Sequence, residues 1–184
     1  MSNSFRTYIF SFIPLAYLFI NLIFNEDIIN GFSYLISQSG NIIIIYLLII
    51  LFIPIFDRSQ AIINRRSLGI STFIYVLIHF VIYIIDNNLE LFVLSEDLLN
   101  ITYIQIGYLA LILFIPLVLT SNEYSKKIMK AAWMTVHKLI YLIIFMSLFH
   151  YYLVIKADYL LLNTYISLFL LILVFKYIFL YKSK

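Results

Sequence analysis

Six apolar runs, each close to the length needed to cross a membrane, constrain this chain more than any other feature. They occupy positions 8–24, 41–56, 69–85, 103–119, 139–155 and 159–175. A helix rising about 1.5 Å per residue needs roughly 20 residues to cross the hydrocarbon, so the helices are expected to extend into flanking Ser, Thr and Asn residues. The second is expected to begin near Ser33. The runs lack the alternation of a lipid-facing strand, which argues against a barrel. With 64% hydrophobic and 11% charged residues, the chain departs from soluble domains, where about a quarter of residues are charged. The expected fold is all-α: a polytopic membrane protein, one domain over 1–184, forming a six-transmembrane-helix bundle in a lipid bilayer.

The loops alternate in charge. Arg6 precedes the first run, Arg58, Arg65 and Arg66 fill the second loop, Lys126, Lys127, Lys130 and Lys138 the fourth, and Lys182 and Lys184 the tail. The first loop instead holds Glu26 and Asp27, the third Asp86, Glu90, Glu96 and Asp97, and the fifth Lys156 with Asp158. Because Lys and Arg near span ends mark the cytoplasmic side, both termini and the second and fourth loops are expected to be cytoplasmic. Arg6 before an apolar run has the look of a signal peptide, but no small-residue cleavage pattern follows, and the segment reads as a retained span. The prolines, Pro14, Pro54 and Pro116, each end a Phe-Ile-Pro triplet inside a run; they are expected to kink helices and carry no chemistry. A net charge of +3 gives no support to a nucleic-acid partner.

The absence of cysteine excludes disulfides, thiolate metal sites, iron-sulfur clusters and thioether haem attachment. Imidazole remains as the soft ligand, and all three histidines, His79, His137 and His150, fall in or at the edge of apolar runs. Ionisable side chains at bilayer depth are costly and mark functional sites. His79 lies six residues before Ile85 and His150 five before Ile155, which puts both about 8 to 9 Å below the outer end of their helices. Two imidazoles at one level on separate helices can ligate one haem iron from opposite faces. The plain alternative for each is a cross-helix hydrogen bond; the matched depth favours ligation. His137 stands about 20 Å deeper and about 140° around the helix from His150, so it cannot join the same haem. Trp133 and Tyr141 share its face and could flank a porphyrin or flavin, or simply form an interfacial belt. Arg65 and Arg66 could bind haem propionates or a flavin phosphate, or merely set topology. Lys176 is expected to snorkel to the interface.

At this point the chain resembles a known family. The stretch Arg65-Arg66-Ser67-Leu68-Gly69, then His79, then Ile115-Pro116-Leu117-Val118-Leu119-Thr120-Ser121, then Trp133-Met134-Thr135-Val136-His137-Lys138-Leu139-Ile140-Tyr141, and finally His150 with Lys156, looks like the MsrQ (YedZ) family. These are haem-binding membrane subunits of a protein-methionine-sulfoxide reductase system, within the ferric reductase-like transmembrane group. The motifs cover roughly 54–156. The wider group carries two histidines on each of two helices; here, as in MsrQ, the third span has one, with Arg65 and Arg66 near the missing position.

The resemblance implies one haem b, with a second left open, and FMN. It maps haem ligands onto His79, His137 and His150; Arg65, Arg66 and Trp133 are expected beside a cofactor from their own chemistry and position. It also implies a bacterial inner-membrane protein that takes electrons from a cytoplasmic flavin reductase or quinol. They pass to MsrP, a periplasmic molybdopterin reductase on which methionine sulfoxide is reduced. The acidic third loop is an expected docking surface for that partner. Two alternatives stay open: a ferric- or quinone-linked reductase with another acceptor, and a small transporter whose histidines relay protons.

Overall fold

The computed structural model describes residues 2–56 and 62–182; Arg58, Lys184 and the side chain of Lys182, counted above as cytoplasmic charge, lie outside its description. The described residues form helices α1 (Asn3–Phe24), α2 (Gly31–Phe56), α3 (Arg65–Asp86), α4 (Leu91–Asn100), α5 (Thr102–Leu119), α6 (Glu123–Met129), α7 (Ala131–His137), α8 (Leu139–Val154) and α9 (Leu160–Lys182), with no strand among them. Helices α7 and α8 run on across Lys138 as one crossing, so six segments are long and apolar enough to span a membrane. The chain is an all-α, multi-pass membrane protein. Caps set the starts that the apolar pattern left vague: Asn64 Oδ1 accepts from Ser67 N at 3.0 Å, and Asn122 Oδ1 from Ser125 N at 2.7 Å.

Helix α2 is the axis of the bundle. It is apolar on every side, as a helix surrounded by others must be, and Leu47 and Leu51 on it are fully buried. It packs against α1, α3, α8 and α9, and α5 pairs in turn with α8. The outer helices turn large side chains such as Phe10, Ile23 and Phe24 outward, where acyl chains would cover them. Thus α2–α3 and α5–α8 are two tight pairs facing each other across the middle.

The proline inside α1, Pro14, is met by a specific device. Tyr75 of α3 pushes its hydroxyl against the opened turn of α1, accepting from Leu15 N at 2.9 Å and donating to Ser11 O at 2.9 Å. Tyr46 of α2 donates to the same carbonyl at 2.7 Å, and Ser11 Oγ donates to Ser71 Oγ at 2.7 Å. A proline in a spanning helix is tolerated where neighbours re-satisfy the freed backbone groups, and two tyrosines do so here.

The acidic third loop is more ordered than its composition suggested. Asn88 and Leu89, with φ of 54° and 60°, reverse the chain out of α3, and the next ten residues form α4. Tyr83 of α3 donates to Asp97 Oδ2 on α4 at 2.7 Å. That bond pins the short helix over one end of the bundle.

Candidate functional site

Each of the two tight helix pairs delivers one histidine to the middle. His79 comes from α3 and is backed by α2, where Ser39 Oγ lies 3.0 Å from its Nδ1. The Ser39 hydroxyl already donates to Ile36 O at 3.1 Å, so its oxygen is left to accept, and His79 Nδ1 must carry the proton. His150 comes from α8 and is backed by α5, where Tyr103 O accepts from Nδ1 at 2.7 Å. A carbonyl can only accept, so this ring is fixed in the same tautomer. Both rings are therefore left with a lone pair on Nε2. A hydrogen bond on the far nitrogen is how ligating histidines are generally oriented.

The ring centroids stand 6.4 Å apart with planes at 76°. A metal–nitrogen bond near 2 Å on each side, plus the two ring radii, amounts to roughly 6 Å. The pair thus fits a single metal between two axial imidazoles. Two glycines let the rings lie this close to the backing helices. A Cβ on Gly40 would sit 3.5 Å from His79 Cε1, and one on Gly107 only 3.2 Å from His150 Cε1 and Nδ1. Around the pair is a cavity of about 500 Å³, walled by Val76, Phe80, Leu111 and other apolar groups, with Asp86 and Asp97 at one end. That volume falls within the range of cofactor sites. Among the described residues no group of three or more His, Cys, Asp or Glu could hold a bare metal ion. A metal already held in a macrocycle needs only the two axial ligands.

His137 is elsewhere. It lines a second cavity, of about 830 Å³, together with Arg65, Arg66, Trp133 and Tyr141. Its ring stacks on Trp133 with centroids 3.8 Å apart and planes at 27°, and its Nδ1 donates to Trp133 O at 3.0 Å. Trp133 is itself fixed by Nε1 donating to Thr120 O at 2.9 Å. The structure thus brings His79 and His150 together and gathers His137, Trp133, Arg65 and Arg66 separately. Lys176 corrects the snorkelling expectation: its Nζ turns inward to donate to Tyr141 Oη at 2.8 Å and lines the second cavity.

Sequence reasoning missed Ser39, Gly40, Gly107 and the Tyr103 carbonyl. The glycines had a usable signal, since the chain has four and glycine within a helix is destabilising unless a close approach requires it.

A family model described as ferric reductase like transmembrane component matches residues 38–148. The chain belongs to this family. His79 and His137 fall inside the matched residues, His150 just past their end. Within this family the chain is similar to proteins named protein-methionine-sulfoxide reductase heme-binding subunit MsrQ, as the motif resemblance implied. That of Agrobacterium fabrum (strain C58 / ATCC 33970) is 42% identical over 94 residues, 50% of this chain and 44% of that protein. That of Brucella ovis (strain ATCC 25840 / 63/290 / NCTC 10512) is 37% identical over 94 residues, 50% of this chain and 43% of that protein. The matched stretch spans less than half the length of these relatives. No solved structure matches the chain.

Proposed function

We propose that this ferric reductase-like domain is a haem b-containing electron-transfer subunit of the MsrQ kind, set in a bacterial inner membrane with both termini cytoplasmic. One observation carries the reading: two imidazoles from different helices, their Nδ1 atoms committed to Ser39 and Tyr103, face each other at the separation that a shared metal needs. Haem there would be held by His79 and His150 and would supply one-electron chemistry. The chain's own part is to hold the two rings, fix their tautomers and exclude water with the apolar wall.

The cavity of His137, Arg65, Arg66 and Trp133 lies on the side where Lys and Arg accumulate, which the positive-inside rule makes cytoplasmic. Electrons from a flavin reductase or quinol would arrive here. The Trp133–His137 stack offers a flat face to FMN. FMN is favoured over a second haem because a single imidazole lines this cavity. At the opposite end Asp86, Glu90 and Glu96 are exposed and would dock an MsrP-like periplasmic molybdopterin reductase, where methionine sulfoxide is reduced. Asp97 is engaged by Tyr83 and serves that docking less.

The family's description supports a second reading, a reductase of the same build with ferric iron as acceptor. Reconstitution separates the two. In proteoliposomes with flavin reductase and NADH on the basic side and MsrP with a methionine sulfoxide substrate on the other, substrate reduction should need the protein and vanish with His79→Ala. Reduction of an external ferric chelate alone, with MsrP never reduced, would establish the second reading. A purified protein that binds no haem would contradict both.

A further inference from the structure

The two facing imidazoles come from separate helix pairs, so a metal shared between them requires those pairs to keep one register at the end of the bundle that carries the acidic third loop. Ring contacts between α3 and α5 are a poor source of register. Phe80 meets Tyr108 with centroids 5.2 Å apart and planes at 82°, and Phe73 meets Phe114 at 5.6 Å and 37°; apolar contact of this kind is non-directional and tolerates sliding. The bond from Tyr83 Oη to Asp97 Oδ2, at 2.7 Å, is different. It is a phenol-to-carboxylate bond of the short, charge-assisted kind, and both residues line the cavity around the imidazoles.

Each end of that bond leads to one histidine. Tyr83 follows His79 by four residues on α3, which puts it one turn along the same face and about 6 Å further up the axis. Asp97 belongs to α4, which joins α5 through Ile101 alone. That corner is locked: Ile101 N donates to Asp97 O at 2.9 Å, Gln105 N to Ile101 O at 3.1 Å, and Gln105 Nε2 to Leu99 O at 3.0 Å. Two residues past Ile101 stands Tyr103, whose carbonyl orients His150. The turn that folds α4 back is equally specified, because Leu89 N donates to Ile84 O at 3.1 Å and Asn87 Nδ2 to Tyr83 O at 3.0 Å. A leucine at φ of 60° persists only where its surroundings hold it there.

We infer that the Tyr83–Asp97 bond is a clamp that sets the angle between the two imidazole planes, which makes Tyr83 and Asp97 positioning residues for the haem ligands. It closes a circuit that runs from His79 through Tyr83, Asp97 and the α4–α5 corner to Tyr103 and His150. Without it, α3 is free to shift against the α5–α8 pair while every helix stays intact, and the ring planes, 76° apart here, lose their fixed angle. The inference rests on the proposed haem between these rings and adds which side chains set its ligand geometry.

The experiment uses the purified, haem-loaded full chain in nanodiscs. In a low-spin ferric haem with two imidazoles, the low-field g value follows the angle between the ligand planes, so low-temperature electron paramagnetic resonance reads the quantity that the clamp controls. Thermal unfolding and haem per protein are followed alongside. Tyr83→Phe and Asp97→Leu should each move the low-field feature by more than its width, or spread it over a broad range, with haem retained. Asp97→Asn keeps an oxygen for the phenol and should keep the wild-type line. If Asp97→Leu does not fold, Asp97→Ser, too short to reach the phenol, takes its place. A merely structural role would lower thermal stability and leave the g value where it was, and that result in Tyr83→Phe overturns the inference. A shift in Asp97→Asn as large as that in Asp97→Leu overturns it too. A wild type without the two-imidazole signal defeats the proposed function and the clamp together, whereas a wild type with that signal and an unmoved line in Tyr83→Phe defeats the clamp alone.

Discussion

At the residue scale the account turns on what stands behind each imidazole. Ser39 accepts the proton of His79 Nδ1, and loss of such a partner typically costs ten- to hundredfold in affinity for the ligated group. Ser39→Ala should therefore weaken haem retention by that order, measured as transfer to a competing apoprotein, while the fold survives. The glycines predict an asymmetry. At Gly40 an added Cβ makes ordinary contact with His79, whereas at Gly107 it presses on His150 at 3.2 Å and must displace the ring by a few tenths of an ångström. Gly107→Ala should alter the electron paramagnetic resonance of the ferric haem and lower its occupancy, and Gly40→Ala should leave both near wild type. Equal effects at the two positions would contradict the packing described. None of these backing groups is chemically distinctive in sequence. A serine or glycine acquires its role only when another helix brings an imidazole to it, so the pairing of His79 with His150 was legible and its supports were not.

At the element scale, spans and their order follow directly from apolar length, because a membrane helix must satisfy its backbone internally and shows as an unbroken run. What the runs conceal is polar structure between helices. The hydroxyl of Tyr75 both accepts from Leu15 N and donates to Ser11 O beside Pro14. Tyr75→Phe should cost about 1–3 kcal/mol, since buried backbone groups lose their partner. The cost should shrink when Pro14→Ala is added, because a regular turn re-forms its own ladder. Thermal unfolding in detergent across the double-mutant cycle measures that coupling; strict additivity would show the hydroxyl to be indifferent to the proline. The helix Leu91–Asn100 was also hidden, since its acidic residues read as loop, while the Tyr83–Asp97 bond that fixes it joins positions 14 residues apart.

At the scale of the whole molecule, two helix pairs face each other and leave a cavity toward each end, one around paired imidazoles and one rich in cations. The sequence foretold the separation of His137 from the other two through helical rise and rotation. It did not foretell that Lys176 would turn inward, since nothing local distinguishes a snorkelling lysine from one with a phenol waiting on another helix. The division of labour predicts that His137→Ala leaves the absorption of the His79–His150 haem unchanged while slowing its reduction by a cytoplasmic donor, followed by stopped-flow spectroscopy. The charge distribution predicts that Asp86→Asn, Glu90→Gln and Glu96→Gln together slow transfer to MsrP and flatten its salt dependence; an unchanged rate and salt dependence would place docking elsewhere. The most direct measurement is haem per protein, with the low-temperature paramagnetic resonance spectrum, for wild type beside His79→Ala and His150→Ala. The account predicts a low-spin, two-imidazole signal in wild type that is lost in both variants together with most of the haem. A variant lacking either histidine that kept full haem and the wild-type signal would contradict it.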